Sequence, residues 1–158
     1  MRVELDDIFQ VSSVSGLAHT IQLALAPAFL LSAMGIILNM LTGRLTRIVD
    51  RARVIEREFT PRDHPNHAHQ VNELRLLDRR MKIVNNAIFL ATASAVVLCT
   101  VVAVMFLAEL VGFSLARALA TLFAVSLVLL IASLVMFLVE VRLAVRAIEI
   151  RDELLERS

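Results

Sequence analysis

A row of small and polar residues recurs every three or four positions along the first apolar segment of the chain: Ala28, Ser32, Gly35, Asn39, Thr42 and Thr46. This spacing places them on one side of an α-helix, which we call the polar stripe. In one interpretation, the small side chains let two helices approach closely in lipid and Asn39 hydrogen-bonds across the contact. In the other, several copies of the helix surround a pore, and Asn39 forms a polar ring around it.

Charged residues continue along the same predicted helix as a dense ladder: Arg44, Arg47, Asp50, Arg51, Arg53 and Arg57. The ladder is typical of the charged mouth of a pore, or of contact with anionic lipid headgroups. The plainest alternative is solvated charge, in which Asp50 pairs with a neighbouring arginine along the helix. We do not expect nucleic-acid binding, because acidic residues interleave with the basic ones and no aromatic platform is present.

Two weaker features also bear on function. Pro27 lies inside the first apolar segment, where its missing N–H removes a helical hydrogen bond, and it is a candidate hinge. His64, His67 and His69 form a weak candidate metal site, since imidazole is a common metal ligand. Their setting, a proline-containing turn without cysteine, favours solvated side chains and no physiological metal.

Motifs for catalysis are missing from the sequence. It has no phosphate-binding loop, no nucleophile elbow and no metalloprotease motif. Its one cysteine, Cys99, lies in the middle of an apolar segment, far along the chain from the histidines. We therefore expect no enzyme activity and no cofactor.

Three long apolar segments position these residues. The chain is 58% hydrophobic, with a mean hydropathy of +0.77. No charged residue occurs within 20–43, 83–108 or 118–139, and a helix needs ~20 apolar residues to cross ~30 Å of hydrocarbon. The sequence therefore predicts an all-α integral membrane protein, a three-helix bundle that contacts the lipid bilayer directly.

The distribution of basic residues predicts the orientation. Ten of the sixteen Lys and Arg residues lie between Thr42 and Lys82, and four more follow the third apolar segment. The positive-inside rule places both regions in the cytoplasm and the N-terminus outside. The predicted order is an outer segment at 1–19, transmembrane helix 1 at 20–43, a cytosolic helical hairpin at 44–82, transmembrane helix 2 at 83–108, an outer turn at 109–117, transmembrane helix 3 at 118–139 and a cytosolic C-terminal helix at 140–158.

Apolar residues at helical spacing continue beyond the three spans. The first series is Leu41, Leu45, Ile48, Ala52, Ile55 and Phe59. The second is Val71, Leu74, Leu77, Met81, Val84 and Ile88. The third is Val139, Leu143, Ala147, Ile150 and Leu154. These seams predict helices over about 20–59, 69–108 and 117–156, whose cytosolic halves pack together as a stalk. Residues 4–19 are weakly amphipathic and predict a short interfacial helix, or else an extension of the first span.

The third helix carries polar residues at a seven-residue spacing, Ser126, Ser133 and Glu140. Glu140 is the first charge after the apolar segment. It lies within reach of Arg142 or of an arginine on a neighbouring helix. Because it lies so near the predicted membrane boundary, we do not place it among the candidate site residues.

Residues 26–53, APAFLLSAMGIILNMLTGRLTRIVDRAR, resemble a family of small bacterial inner-membrane proteins known only as domain-of-unknown-function family 2721. The specific part is Pro27, Asn39 and the run from Arg44 to Arg53. The resemblance extends over most of the chain in size and span pattern. It implies a protein of the bacterial plasma membrane, and it supplies no activity and no catalytic residue.

Two functions are consistent with these features. The first is a homo-oligomeric ion channel or pore lined by the first helix. The alternative is a membrane-anchored interaction or regulatory protein, whose cytosolic helices bind a protein partner. The position of Asn39 discriminates between them, since a pore needs it on a shared axis and packing needs it against another helix.

Overall fold

A computed structural model describes residues 2–62, 65–111 and 115–152, and the side chains of 21–62, 65–111 and 115–145. It contains three helices: α1 at Arg2–Arg57, α2 at His67–Val111 and α3 at Ala116–Asp152. No strand occurs within these described ranges. Each helix includes a segment long and apolar enough to cross a membrane. The predicted all-α fold and its three spans are confirmed, and the protein is a multi-pass membrane protein.

Helix is the conformation that these segments require. Lipid offers no hydrogen-bond partner to the backbone, so a single span must satisfy its N–H and C=O groups internally. This requirement overrides the β-branched residues of α2 and α3, which would weaken helices in water. Only 11, 22 and 17% of the most apolar stretch of each helix is buried within the chain, which leaves the rest of each apolar surface for the bilayer.

The helix bounds differ from the predicted ones in two places. α1 begins at Arg2, so residues 2–19 continue the helix of the first span. Whether they lie along the outer membrane surface stays a prediction. α1 also ends at Arg57, a turn before the prolines. The predicted outer turn includes residues 112–114, which lie outside the described residues.

The chain forms two compact units, to which all three helices contribute. The apolar unit comprises residues 1–36 and 93–128, and the hairpin unit comprises 37–92 and 129–158. In the apolar unit, Ser94 and Ser126 are fully buried and bond to each other. The Ser94 hydroxyl donates to the Ser126 carbonyl at 2.6 Å, and the Ser126 hydroxyl donates to the Ser94 carbonyl at 3.3 Å. These small residues let α2 and α3 approach closely without leaving a polar group unpaired.

The hairpin unit has an apolar core between α1 and α2. Its buried members come from the first two predicted seams: Ile48, Ala52, Ile55, Leu77 and Val84. Four partly buried residues of the same seams pack against them: Leu45, Leu74, Met81 and Ile88. Burying each of the larger side chains contributes roughly 1.5–3 kcal/mol, which holds the two helices together.

Two seam predictions are wrong. Phe59 is 46% exposed, because α1 has already ended and the helical spacing no longer applies. Val139 is 45% exposed, because α3 turns the neighbouring Glu140 inward instead. Among the described side chains, the hairpin core is built by α1 and α2. Ala147, Ile150 and Leu154 of the third seam lie outside the described side chains, so the contribution of α3 to the predicted stalk stays a prediction.

The turn between α1 and α2 is fixed by the side chain of Gln70. Its carbonyl accepts from the backbone N–H and hydroxyl of Thr60, at 3.0 and 2.8 Å. Its amide donates to the carbonyl of Glu58 at 3.1 Å. One side chain thus ties together two residues that follow the end of α1.

Candidate functional site

A carboxylate lies on α3 where the apolar segment 118–139 ends. Glu140 is fully buried, and each of its oxygens accepts from a different arginine. Arg44 of α1 donates to Oε2 at 2.9 Å, and Arg80 of α2 donates to Oε1 at 2.7 Å. Each of the three helices therefore contributes one charged residue, and we call the three the Glu140 cluster.

Burial explains why two arginines are needed. A buried carboxylate without partners costs far more free energy than folding can supply, so it must be paired and hydrogen-bonded. The side chains of Arg44 and Arg80 are 35% and 19% exposed. Solvent therefore reaches both arginines but not the carboxylate of Glu140. The guanidinium of Arg44 also lies over the ring of Phe137, 5.0 Å from its centroid, a stabilising cation–π contact.

A cavity of about 270 Å³ opens beside the Glu140 cluster. Its walls carry four guanidinium groups and one carboxylate, with two apolar side chains: Arg44, Arg47, Ile48, Arg51, Leu77, Arg80 and Glu140. Arg51 is paired outside the cluster, with Glu73 of α2 at 2.7 Å. The cavity is therefore a strongly cationic site built by all three helices of the hairpin unit.

The predicted ladder divides into two groups. Arg44, Arg47 and Arg51 line the cavity, at spacings of three and four residues. Asp50, Arg53 and Arg57 are exposed and make no ion pair with any described residue. The pairing of Asp50 along the helix is therefore not found, because Arg51 turns to Glu73 across the hairpin instead.

The structure leaves the polar stripe uncovered. All of its members are exposed: Ala28, Ser32, Gly35, Asn39, Thr42 and Thr46. The hydroxyls of Ser32, Thr42 and Thr46 donate to carbonyls one turn back along α1, at 3.2, 2.9 and 3.0 Å. No hydrogen bond joins the amide group of Asn39 to any residue that the structure describes. The described part of the chain therefore leaves this amide without a partner.

The weaker candidates remain apart from the cavity lining. Pro27 is buried, and α1 continues through it without a break. His64 lies outside the described residues, and His69 is exposed. The Nδ1 of His67 lies 2.8 Å from the carbonyl of Thr60, so it carries the proton and donates, and the ring meets Phe59 edge-on. Within the described residues, no group of three or more His, Cys, Asp or Glu is placed to hold a metal.

Sequence reasoning missed Arg80 and Glu140 as site residues. Of the two partners considered for Glu140, the structure selects an arginine on a neighbouring helix, not Arg142. A signal was present in the seven-residue spacing of Ser126, Ser133 and Glu140, all of which are fully buried. Polar residues that recur on one face of an apolar helix mark the side turned toward other helices, because lipid faces tolerate only apolar groups.

Comparisons with known proteins agree with the sequence resemblance. No curated protein and no solved structure matches the chain. A family model described as Protein of unknown function (DUF2721) matches residues 24–150, which include the polar stripe, the cavity lining, most of the first span and the whole of the other two. The chain therefore belongs to this family of proteins of unknown function.

Proposed function

We propose that the protein is a homo-oligomeric ion channel or pore lined by α1, and that it has no catalytic activity. One observation carries the proposal, the exposed Asn39 amide, which has no partner among the described residues although it lies within the uncharged segment of α1. A polar amide facing hydrocarbon costs several kcal/mol, so it needs either water or another protein copy. A ring of α1 helices around an aqueous axis supplies both.

The rest of the polar stripe supports the same arrangement. Its hydroxyls are already bonded to their own helix, so they present weakly polar surfaces rather than free donors. Gly35 has open space where a side chain would be, which leaves room along the axis. Further along α1, the exposed Arg53 and Arg57 would then form the charged mouth and tune the current from the hairpin.

The proposed setting is the bacterial plasma membrane, with the N-terminus outside and the basic hairpin and C-terminus in the cytoplasm. The concentration of Lys and Arg between Thr42 and Lys82 supports this orientation. The resemblance to bacterial inner-membrane proteins supports the compartment. Protease protection of epitope tags at either end of the chain, in sealed spheroplasts, tests the orientation.

Conductance of the purified protein in planar bilayers tests the channel. We expect a selective current under asymmetric salt, and we expect Asn39→Leu to remove it in protein that still assembles. Met40→Leu is the matched control, since Met40 is also exposed on α1 but lies on an adjacent face. No current across voltage, pH and divalent ions would overturn the proposal.

A second candidate is a membrane-anchored interaction protein. Exposed apolar side chains on the hairpin favour it, since Val54, Phe59 and Leu76 are 43, 46 and 37% exposed. Such residues suit a protein partner in the cytoplasm. Photo-crosslinking from position 54 in cells is expected to capture a distinct protein under this alternative. Capture of a second copy of the chain, or of nothing, would count against it.

A further inference from the structure

We propose that the cavity beside the Glu140 cluster is a binding site for a phosphate group, held by Arg44, Arg47 and Arg80. The group belongs either to a lipid headgroup or to a soluble phosphate. The inference does not depend on whether the protein conducts ions.

The charge of the cavity requires a counterion. Four guanidinium groups line it, against the single carboxylate of Glu140. Glu73 neutralises Arg51, and Glu140 is shared between Arg44 and Arg80. Arg47 makes no ion pair with any of the described residues. The walls therefore keep an excess of positive charge that a bound anion would neutralise.

Unused hydrogen-bond donors accompany this charge. Each guanidinium has five N–H donors, and Glu140 uses only part of those on Arg44 and Arg80. The Nε of Arg80 is buried and has no partner among the described residues. Because this Nε has almost no accessible surface, a ligand in the cavity would accept from the more exposed N–H groups of Arg80, Arg44 and Arg47.

The geometry favours phosphate over a carboxylate. Planar guanidinium groups match phosphate oxygens in paired hydrogen bonds, and a phosphate has enough oxygens to meet arginines from two helices. The protein already supplies one carboxylate, that of Glu140, which holds Arg44 and Arg80 in place and limits their mutual repulsion. The volume of about 270 Å³ is several times the ~30 Å³ that one water occupies, and it lies just below the usual range for drug-sized ligands.

The position along the chain makes both phosphate sources accessible. Arg44 is the first charge after the uncharged residues 20–43, and Glu140 is the first after 118–139. The cavity therefore begins where the apolar segments end, at the level of lipid headgroups. Arg47 lines the cavity and its side chain is exposed, so a soluble phosphate can also reach the cavity.

Isothermal titration calorimetry on the purified full-length protein tests the site. The protein is held at low ionic strength in a maltoside detergent, which contains no phosphorus. One arm titrates inorganic phosphate. The other titrates a short-chain phosphatidylglycerol, with the matching diacylglycerol as a phosphate-free control. Saturable binding is expected in at least one arm, and none is expected for the diacylglycerol.

Arg47→Gln is the test variant, and Arg53→Gln is its matched control. Both remove one exposed α1 arginine that makes no ion pair with a described residue, but only Arg47 lines the cavity. We expect Arg47→Gln to weaken binding about tenfold, because it removes a charge-assisted hydrogen bond to the phosphate. Arg53→Gln should change the Kd less than about twofold, because screening weakens a distant exposed charge. Arg47→Lys keeps the charge but lacks the planar set of donors. Its Kd should lie between those of Arg47→Gln and Arg53→Gln.

The outcomes separate the two sources. Binding of inorganic phosphate that Arg47→Gln weakens assigns the site to a soluble phosphate. Binding of phosphatidylglycerol alone, weakened in the same way, assigns it to a lipid headgroup. Absence of saturable binding in both arms would overturn the proposal. So would an equal loss in Arg47→Gln and Arg53→Gln, which would indicate general electrostatic attraction.

Discussion

The Glu140 cluster and the Asn39 amide differ in whether the described residues of the chain supply their hydrogen-bond partners. Glu140 is fully buried, and both of its oxygens are bonded by arginines from the other two helices. Asn39 is exposed, and its amide bonds to nothing that the structure describes. The first group is satisfied within one chain. The second needs a partner outside the described residues, so the proposed function rests on Asn39, whereas Glu140 joins α3 to the helices that form the apolar core of the hairpin unit.

The largest expected effect on stability is that of Glu140→Gln. It leaves two guanidinium groups facing each other without the carboxylate that holds them. Removing one partner from a buried ion pair costs ~3–5 kcal/mol, and the partial exposure of both arginines places our expectation at about 3 kcal/mol. Reversible unfolding in mixed micelles measures the change. A loss below about 1 kcal/mol would mean that the cluster does not hold the hairpin unit together.

Substitution of the two arginines of the cluster should lower the free energy of unfolding by different amounts. Arg80 is 19% exposed and Arg44 is 35% exposed, so water replaces the lost contact more readily at Arg44. We expect Arg80→Gln to cost about 2 kcal/mol and Arg44→Gln about 1 kcal/mol, by the same reasoning on desolvated charge. Double-mutant cycles with Glu140→Gln isolate each coupling energy. The reverse order would show that the contact of Arg44 with Phe137 outweighs the difference in burial.

A smaller effect is expected from the neutral contact in the apolar unit. Ser94 and Ser126 are fully buried, but they exchange hydrogen bonds without any charge. Interhelical hydrogen bonds in membranes average ~0.6 kcal/mol, so Ser94→Ala should cost about that much. The same unfolding assay compares it with Glu140→Gln. If the two substitutions cost the same, charge would not be what distinguishes the cluster.

The sequence predicted the helices, the spans and the apolar seams of the hairpin for clear physical reasons. Long uncharged segments must be helical in lipid, and helical spacing in a polar segment predicts the buried face of α1 and α2. The same interpretation is wrong where the apolar segment of α3 ends, since the seam predicts a buried Val139 and Glu140 is buried instead. In a segment surrounded by lipid, apolar side chains face the bilayer. A row of apolar residues there therefore does not mark the side that is buried in the protein.

The sequence predicts the arginines that α1 contributes to the cavity, but not the residues contributed by the other two helices. Arg44, Arg47 and Arg51 were recognised from their density along one helix. Arg80 was not, because its meeting with Glu140 depends on the rotation of two helices about their axes, which spacing within one helix cannot determine. The polar stripe was recognised in full, but only the structure shows that its own chain leaves it uncovered.

Thiol modification at position 39 tests most directly whether the uncovered amide faces water. Asn39→Cys is prepared in a Cys99→Ser background, and Met40→Cys serves as the control on the adjacent exposed face. A membrane-impermeant charged thiol reagent is applied while the current is recorded. The proposed function predicts modification and a changed current for Asn39→Cys, with no change for Met40→Cys. No reaction at position 39, or equal reaction at both positions, would contradict it.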